Sequence, residues 1–240
     1  RGTGILTGFA WDADGNSLKF TEQRTRLNVK ADFTNEVSAF IEMDSYDIWG
    51  EDFRSNYISG ADFRQFDAND DVALYQAYVE ANNMWGMPLR ARVGRQEIKL
   101  GNQWLVGVND TSWSFTGLSF DALRLTYATD MFSVDAIAAK LAENGLSEED
   151  GDVDFYALYG SYLGLEDITI DAYYMLVRDA RSLNDTNFTW WPELVENWLN
   201  VDDYDVTNLN TIGLRGAGTI GAFDFDAEVA YQWGNADAIG

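Results

Sequence analysis

Between residues 19 and 33 the chain alternates, one residue polar and the next increasingly apolar, and the same alternation returns along most of its length. The even positions read Phe20, Glu22, Arg24, Arg26, Asn28, Lys30 and Asp32; the odd positions read Thr21, Gln23, Thr25, Leu27, Val29, Ala31 and Phe33. A strand points successive side chains to opposite faces, so one face is charged and the other grows apolar. At 224–234 the split is as clean, with Phe225, Ala227, Val229, Tyr231 and Trp233 opposite Asp226, Glu228, Ala230 and Gln232. A soluble sandwich could show this once. Its recurrence predicts an inner face that is charged beneath an outer face that is apolar, as in a transmembrane β-barrel around a watery lumen.

Segments with a period of two lie near 4–11, 19–33, 37–48, 73–82, 89–98, 120–128, 132–141, 153–163, 168–178, 208–217 and 224–234. The connections between them alternate in length. Thr34–Glu36, Asn83–Pro88, Thr129–Met131, Gly164–Asp167 and Gly218–Phe223 are short and mostly built from turn-forming residues, whereas 49–72, 99–119, 142–152 and 179–207 are long. Short turns at one end and long loops at the other predict an all-β, antiparallel, up-and-down barrel in a bacterial outer membrane. The predicted faces include Tyr75, Ala77, Val79 and Ala81 against Gln76, Tyr78, Glu80 and Asn82, and Ile168, Ile170, Ala172, Tyr174 and Leu176 on an outer face. In 132–141 and 153–163 the pattern does not say which face is which. About eleven strands are present, so the 240 residues read as one domain, incomplete at both ends, of a barrel of roughly 16–18 strands.

Composition narrows the chemistry. The chain has neither Cys nor His, which removes thiol catalysis, the commonest general base and most transition-metal sites. A net charge of −24 argues against nucleic acid as a partner, since phosphates require a basic surface. No stretch approaches the ~20 apolar residues of a transmembrane helix. Asp12-Ala13-Asp14-Gly15-Asn16 resembles half of a calcium loop but lacks the closing Glu, and reads better as a hairpin turn. Carboxylates are abundant enough to fall close together by chance, and no phosphate-binding Gly motif or nucleophile elbow is present. No enzyme, cofactor or metal site is expected.

The residues that stand out are arginines. Arg24, Arg26, Arg90, Arg92, Arg124 and Arg215 all lie on the polar register of their strands. A cation facing lipid at mid-membrane costs about 2–4 kcal/mol, so they are expected to line the lumen, with Glu228 and Gln232. Two readings stand side by side. An arginine ladder would draw anionic solutes; alternatively, Glu22, Asp32, Glu42, Asp44, Glu80 and Glu228 neutralise it across the wall. The loops are acidic at Asp67–Asp71, Ser147–Asp154 and Asp202–Asp205, and 188–199 is rich in Trp.

Arg92-Val93-Gly94-Arg95-Gln96-Glu97-Ile98-Lys99-Leu100-Gly101-Asn102 resembles the GRQ-E-x-x-x-G segment of the alginate-export family of bacterial outer-membrane porins. Trp104-Leu105-Val106-Gly107, Phe120–Leu125, Asn210–Arg215 and Ala227–Gly234 are similar to that family's strand patterns. The resemblance implies a single-chain barrel of up to about eighteen strands whose constriction is lined by arginine. Carried onto this chain it makes Arg95 and Arg124 constriction residues, with Arg92 and Arg215 nearby and Glu97 beside them. The expected function is passive diffusion of small hydrophilic solutes, anionic ones included. A polysaccharide exporter and a barrel that sheathes a partner without an open pore are the alternatives. Expected partners are outer-membrane lipid and lipopolysaccharide, a small or anionic solute, and a homo-oligomeric or barrel-associated protein.

Overall fold

A computed structural model of the protein describes residues 22–48, 72–108, 117–143, 152–180 and 206–235. Ten strands form one sheet in chain order: β1 (Glu22–Asp32), β2 (Val37–Ile48), β3 (Ala73–Ala81), β4 (Leu89–Gln96), β5 (Phe120–Ala128), β6 (Phe132–Ala142), β7 (Val153–Leu165), β8 (Ile168–Asp179), β9 (Thr207–Ile220) and β10 (Phe223–Asn235). Every neighbouring pair is antiparallel. The fold is therefore the expected all-β meander, and among the described residues β1 and β10 pair only with β2 and β9. The predicted segment 4–11, the Asp12–Asn16 turn and the Trp-rich stretch 188–199 lie outside the described residues.

Connection lengths alternate as the turn chemistry requires. Two hairpins are tighter than the sequence suggests: β7 runs to Leu165 and β9 to Ile220, leaving Glu166-Asp167 and Gly221-Ala222 as two-residue turns. Asp167 (φ 57°) and Gly221 (φ 65°) take the left-handed conformation that lets two residues reverse a twisted hairpin.

Burial falls on the unusual side of the sheet. Ser38, Glu42, Asp44, Gln76, Thr126, Asp135, Asp171 and Thr211 are buried, while Leu27, Val29, Val79, Val93, Leu123, Leu158, Ile170, Leu214 and Val229 are exposed. Register keeps the two sets apart: Val29 opposes Ile41 and Val229 opposes Leu214, whereas Arg26 opposes Asp44 and Glu228 opposes Arg215. A continuous bare apolar face of this extent is intolerable in water and is what a barrel presents to hydrocarbon. The polar, more buried face is the inner one.

Two sequence expectations change. A register shift between Glu42 and Met43 leaves Tyr75 unpaired between Leu74 and Gln76, and a bulge of this kind re-aims a side chain. Tyr75 is buried on the inner side with Gln76, rather than sharing the outer face with Ala77 and Val79. The two ambiguous stretches also acquire faces. Asp135, Ile137 and Ala139 of β6 and Phe155, Ala157 and Tyr159 of β7 are buried inward, while Tyr156 and Leu158 are exposed outward. Their alternation was unreadable because the inner face there is apolar too. It is apolar because something covers it.

Candidate functional site

The cover is the segment that follows β4. Ile98, Leu100 and Val108 are 0%, 5% and 3% exposed, and the first two join a cluster with Phe120 and Ala122 of β5, Ile137 and Ala139 of β6, Phe155, Ala157 and Tyr159 of β7, and Tyr173 and Met175 of β8. Residues 97–108 thus leave the sheet at its long-loop end and fold inward across the polar side. Burying two large aliphatic side chains stabilises this docking by roughly 3–6 kcal/mol on area grounds.

The loop's root is held by polar contacts. The Tyr75 hydroxyl donates to Glu97 at 2.7 Å, the Glu97 amide donates to the Gln76 side chain at 3.1 Å, and Arg26 approaches Glu97 at 3.8 Å. Gln96, fully buried, donates to the Ala122 carbonyl at 2.9 Å. Its tip is a closed turn in which Gln103 N–H reaches Leu100 O (2.9 Å), Leu100 N–H reaches Val106 O (3.1 Å) and Trp104 N–H reaches Asn102 Oδ1 (3.1 Å). Gly101 has φ +55°, and a Cβ there would sit 2.9 Å from the Tyr159 hydroxyl and 3.1 Å from Arg215 Cδ. The tip therefore presses on β7 and β9, far across the sheet from where the loop begins.

Around this loop the inner wall is lined with ion pairs. Arg24 meets Asp44 at 2.8 Å, and Arg26 lies 3.3 Å from both Glu42 and Asp44, with its guanidinium 4.4 Å above the Tyr75 ring. Arg92 and Arg124 sit directly opposite each other, a like-charge pair that would destabilise the sheet if left alone. Each turns to the strand on its other flank: Arg92 Nε donates to Glu80 at 2.8 Å, and Arg124 grips Asp135 with two bonds of 2.9 and 2.8 Å, Asp135 also accepting from Thr126. Arg215 is held between Asp171 (2.7 Å) and Asp226 (2.9 and 2.7 Å). Arg90 donates to Thr126 at 3.2 Å. Glu228 accepts from the Tyr173 hydroxyl at 2.7 Å, and Gln232 donates to Thr211 at 3.0 Å. Five of these six arginines have a carboxylate partner, so the wall is charge-matched and not a bare cationic ladder.

Arg95 is a correction. It shares its register with Ala77 and Val93 rather than with Arg92, and its side chain is 44% exposed on the outer face, paired with Asp121 at 2.8 Å. A strand shows only every second residue to one face, so Arg95 and Arg92 cannot both line the lumen. With Asp121, Lys140, Asp154 and Arg178, Arg95 forms a charged outer row at the long-loop ends of β4–β8. Lys140 pairs with Asp152 and, at 2.9 Å, with Asp154. Such a row bounds an apolar band. Glu97, Arg92, Arg124, Arg215, Glu228 and Gln232 all face inward, but β4–β5 and β9–β10 hold them on separate parts of the wall.

Sequence reasoning missed the inward loop, although its signal was present. Past Gln96 the inward, polar register of Arg90 and Arg92 turns apolar at Ile98 and Leu100, and Gly101 then ends the alternation. The Gly94–Gly101 motif is a loop anchor: Gln96 pins the strand end, Glu97 receives the neighbours' donors and Gly101 takes a left-handed φ where a Cβ would crowd Tyr159 and Arg215.

An up-and-down sheet with an apolar outer face, a polar inner face and a loop folded inward fits the wall of an outer-membrane β-barrel. Among the described residues no helix is long and apolar enough to cross a membrane, and the crossing elements are strands. The chain belongs to the alginate export family, whose model matches residues 12–239. This is a transport family rather than a family of enzymes. A search of curated proteins found no match.

Proposed function

We propose that the chain forms most of the wall of a porin in the bacterial outer membrane, an open pore for passive diffusion of small hydrophilic solutes, narrowed by the loop 97–108. The observation that carries this reading is the docked loop: Ile98 and Leu100 are buried on the inner face of β5–β8, while the ion-paired faces of β1–β4 and β9–β10 remain polar. A barrel interior packed shut would need no such division between an apolar patch under a loop and a polar remainder.

Ion preference follows from the pairing. The inner cations are offset by Glu42, Asp44, Glu80, Asp135, Asp171 and Asp226, and Glu228 adds a further negative charge. Selectivity is therefore weak and leans to cations, because a matched pair presents little net potential. The test is single-channel conductance of detergent-purified protein in planar bilayers under a salt gradient. Discrete steps with a reversal potential slightly on the cation side are expected. A strongly anion-selective pore would overturn the charge reading. Intact, inserted protein that never conducts would overturn the porin reading and favour a barrel that sheathes a partner.

A further inference from the structure

We infer that Trp104 is a stacking platform for neutral pyranose sugars, held in the solute path by the docked loop. The inference rests on the porin reading for its setting, and its test separates the two. Within 97–108, Ile98, Leu100 and Val108 are buried, whereas Leu105 is 38% and Trp104 58% exposed, Trp104 being the larger and the more open. A large exposed aromatic on such a protein is ordinarily a membrane-interface anchor. Trp104 cannot serve as one. It lies three residues from Gly101, which touches Tyr159 and Arg215 on the inner wall, and three residues span at most about 10 Å. The indole is thus confined to the inner side.

The backbone that carries it is held. The Trp104 amide is fixed by Asn102 Oδ1, and Gln103, at φ +67°, receives the Val108 amide on its side chain at 3.2 Å. An aromatic exposed to water on a braced backbone costs apolar hydration unless something apolar comes to lie on it. A pyranose ring offers that: an apolar C–H face that an indole accepts and a rim of hydroxyls for nearby donors and acceptors. Asn102 and Asp226 lie beside the tip to meet these.

Charge selects neutral over acidic sugars. Arg215 is already occupied by Asp171 and Asp226, and Lys99, the nearest cation along the loop, bonds Glu97 at 2.7 Å. Among the described residues beside the tip, a uronate would meet Asp226 and Glu228, and Arg215 and Lys99 are already paired.

The test adds maltohexaose to one side of a bilayer carrying single channels, with hexagalacturonate as the acidic comparison. Wild type should show concentration-dependent current block by maltohexaose. Trp104→Ala should weaken that block about tenfold, Trp104→Phe should restore most of it, and Trp85→Ala, at the opposite end of the sheet, should change nothing. Unaltered block in Trp104→Ala, or stronger block by hexagalacturonate, overturns the inference. Saturation-transfer NMR of maltohexaose with detergent-solubilised protein reads the platform without conduction. A transfer signal on the sugar that disappears in Trp104→Ala supports the platform even in a silent channel, which would sink the porin reading alone; no transfer signal in wild type overturns it.

Discussion

Leu158→Lys tests which face meets lipid. Leu158 is 52% exposed at the middle of β7, between Ala136 of β6 and Tyr174 of β8. The charged outer row crosses the same strands at Lys140 and Asp154, four residues away. At about 3.3 Å per residue and a strand tilt of about 40°, that is roughly 10 Å of membrane depth. In an apolar band about 25 Å tall this places Leu158 near the midplane. A lysine stem reaches only part of that distance towards the interface, so the substitution should cost about 2–4 kcal/mol. Gln232→Lys is the inner-face comparison: it gives up one 3.0 Å bond to Thr211 and should cost about 1 kcal/mol. Urea unfolding from lipid vesicles, extrapolated linearly, measures both. Equal costs, or a larger cost at Gln232, would refute the assignment of faces.

Three further outcomes follow from the same geometry. Ile98→Ala, at a fully buried anchor, should weaken loop docking by about 2–4 kcal/mol and add a second, larger conductance level to single-channel records. Arg124→Gln should destabilise the barrel by about 1–3 kcal/mol, because Asp135 is 8% exposed and loses its bidentate partner; the double substitution with Asp135→Asn should recover most of it in urea unfolding. Gly213→Leu should abolish heat-stable folded barrel on gels, since any side chain there overlaps the Tyr173 ring, itself stacked 5.6 Å from Tyr159, and Tyr173→Ala in the same chain should restore folding.

Most of the sheet was legible because one period governs it. Wherever the inner face is wet, as in β1, β2, β9 and β10, polar and apolar residues alternate and the register reads directly from the sequence. Legibility failed at three kinds of place. In β6 and β7 the inner face is dry, so Ile137, Ala139, Phe155 and Ala157 erase the contrast. At Tyr75 a bulge inserts one residue and the count slips by one, which no local propensity announces. At Arg95 the resemblance outweighed the period: alternation from Arg90 and Arg92 already placed Arg95 outward, while the motif suggested a constriction. Alternation was the better guide, because β-geometry leaves no choice of face once two neighbours are fixed.

The ion pairs bear on what a transport family's wall can do when the arginines alone suggest anions. Arg92 and Arg124 face each other across β4 and β5, and a site for a polyanion would leave both free to share its charge. Here Glu80 and Asp135 draw them apart, and Asp171 and Asp226 hold Arg215 in the same way on the far side. Displacing a carboxylate already bound at 2.7–2.9 Å gains a passing anion little, because the pair it breaks is as good as the one it makes. The arginines therefore act as cross-strand braces of the polar wall, and on the porin reading proposed above discrimination among solutes falls to the loop 97–108 and to what its tip presents.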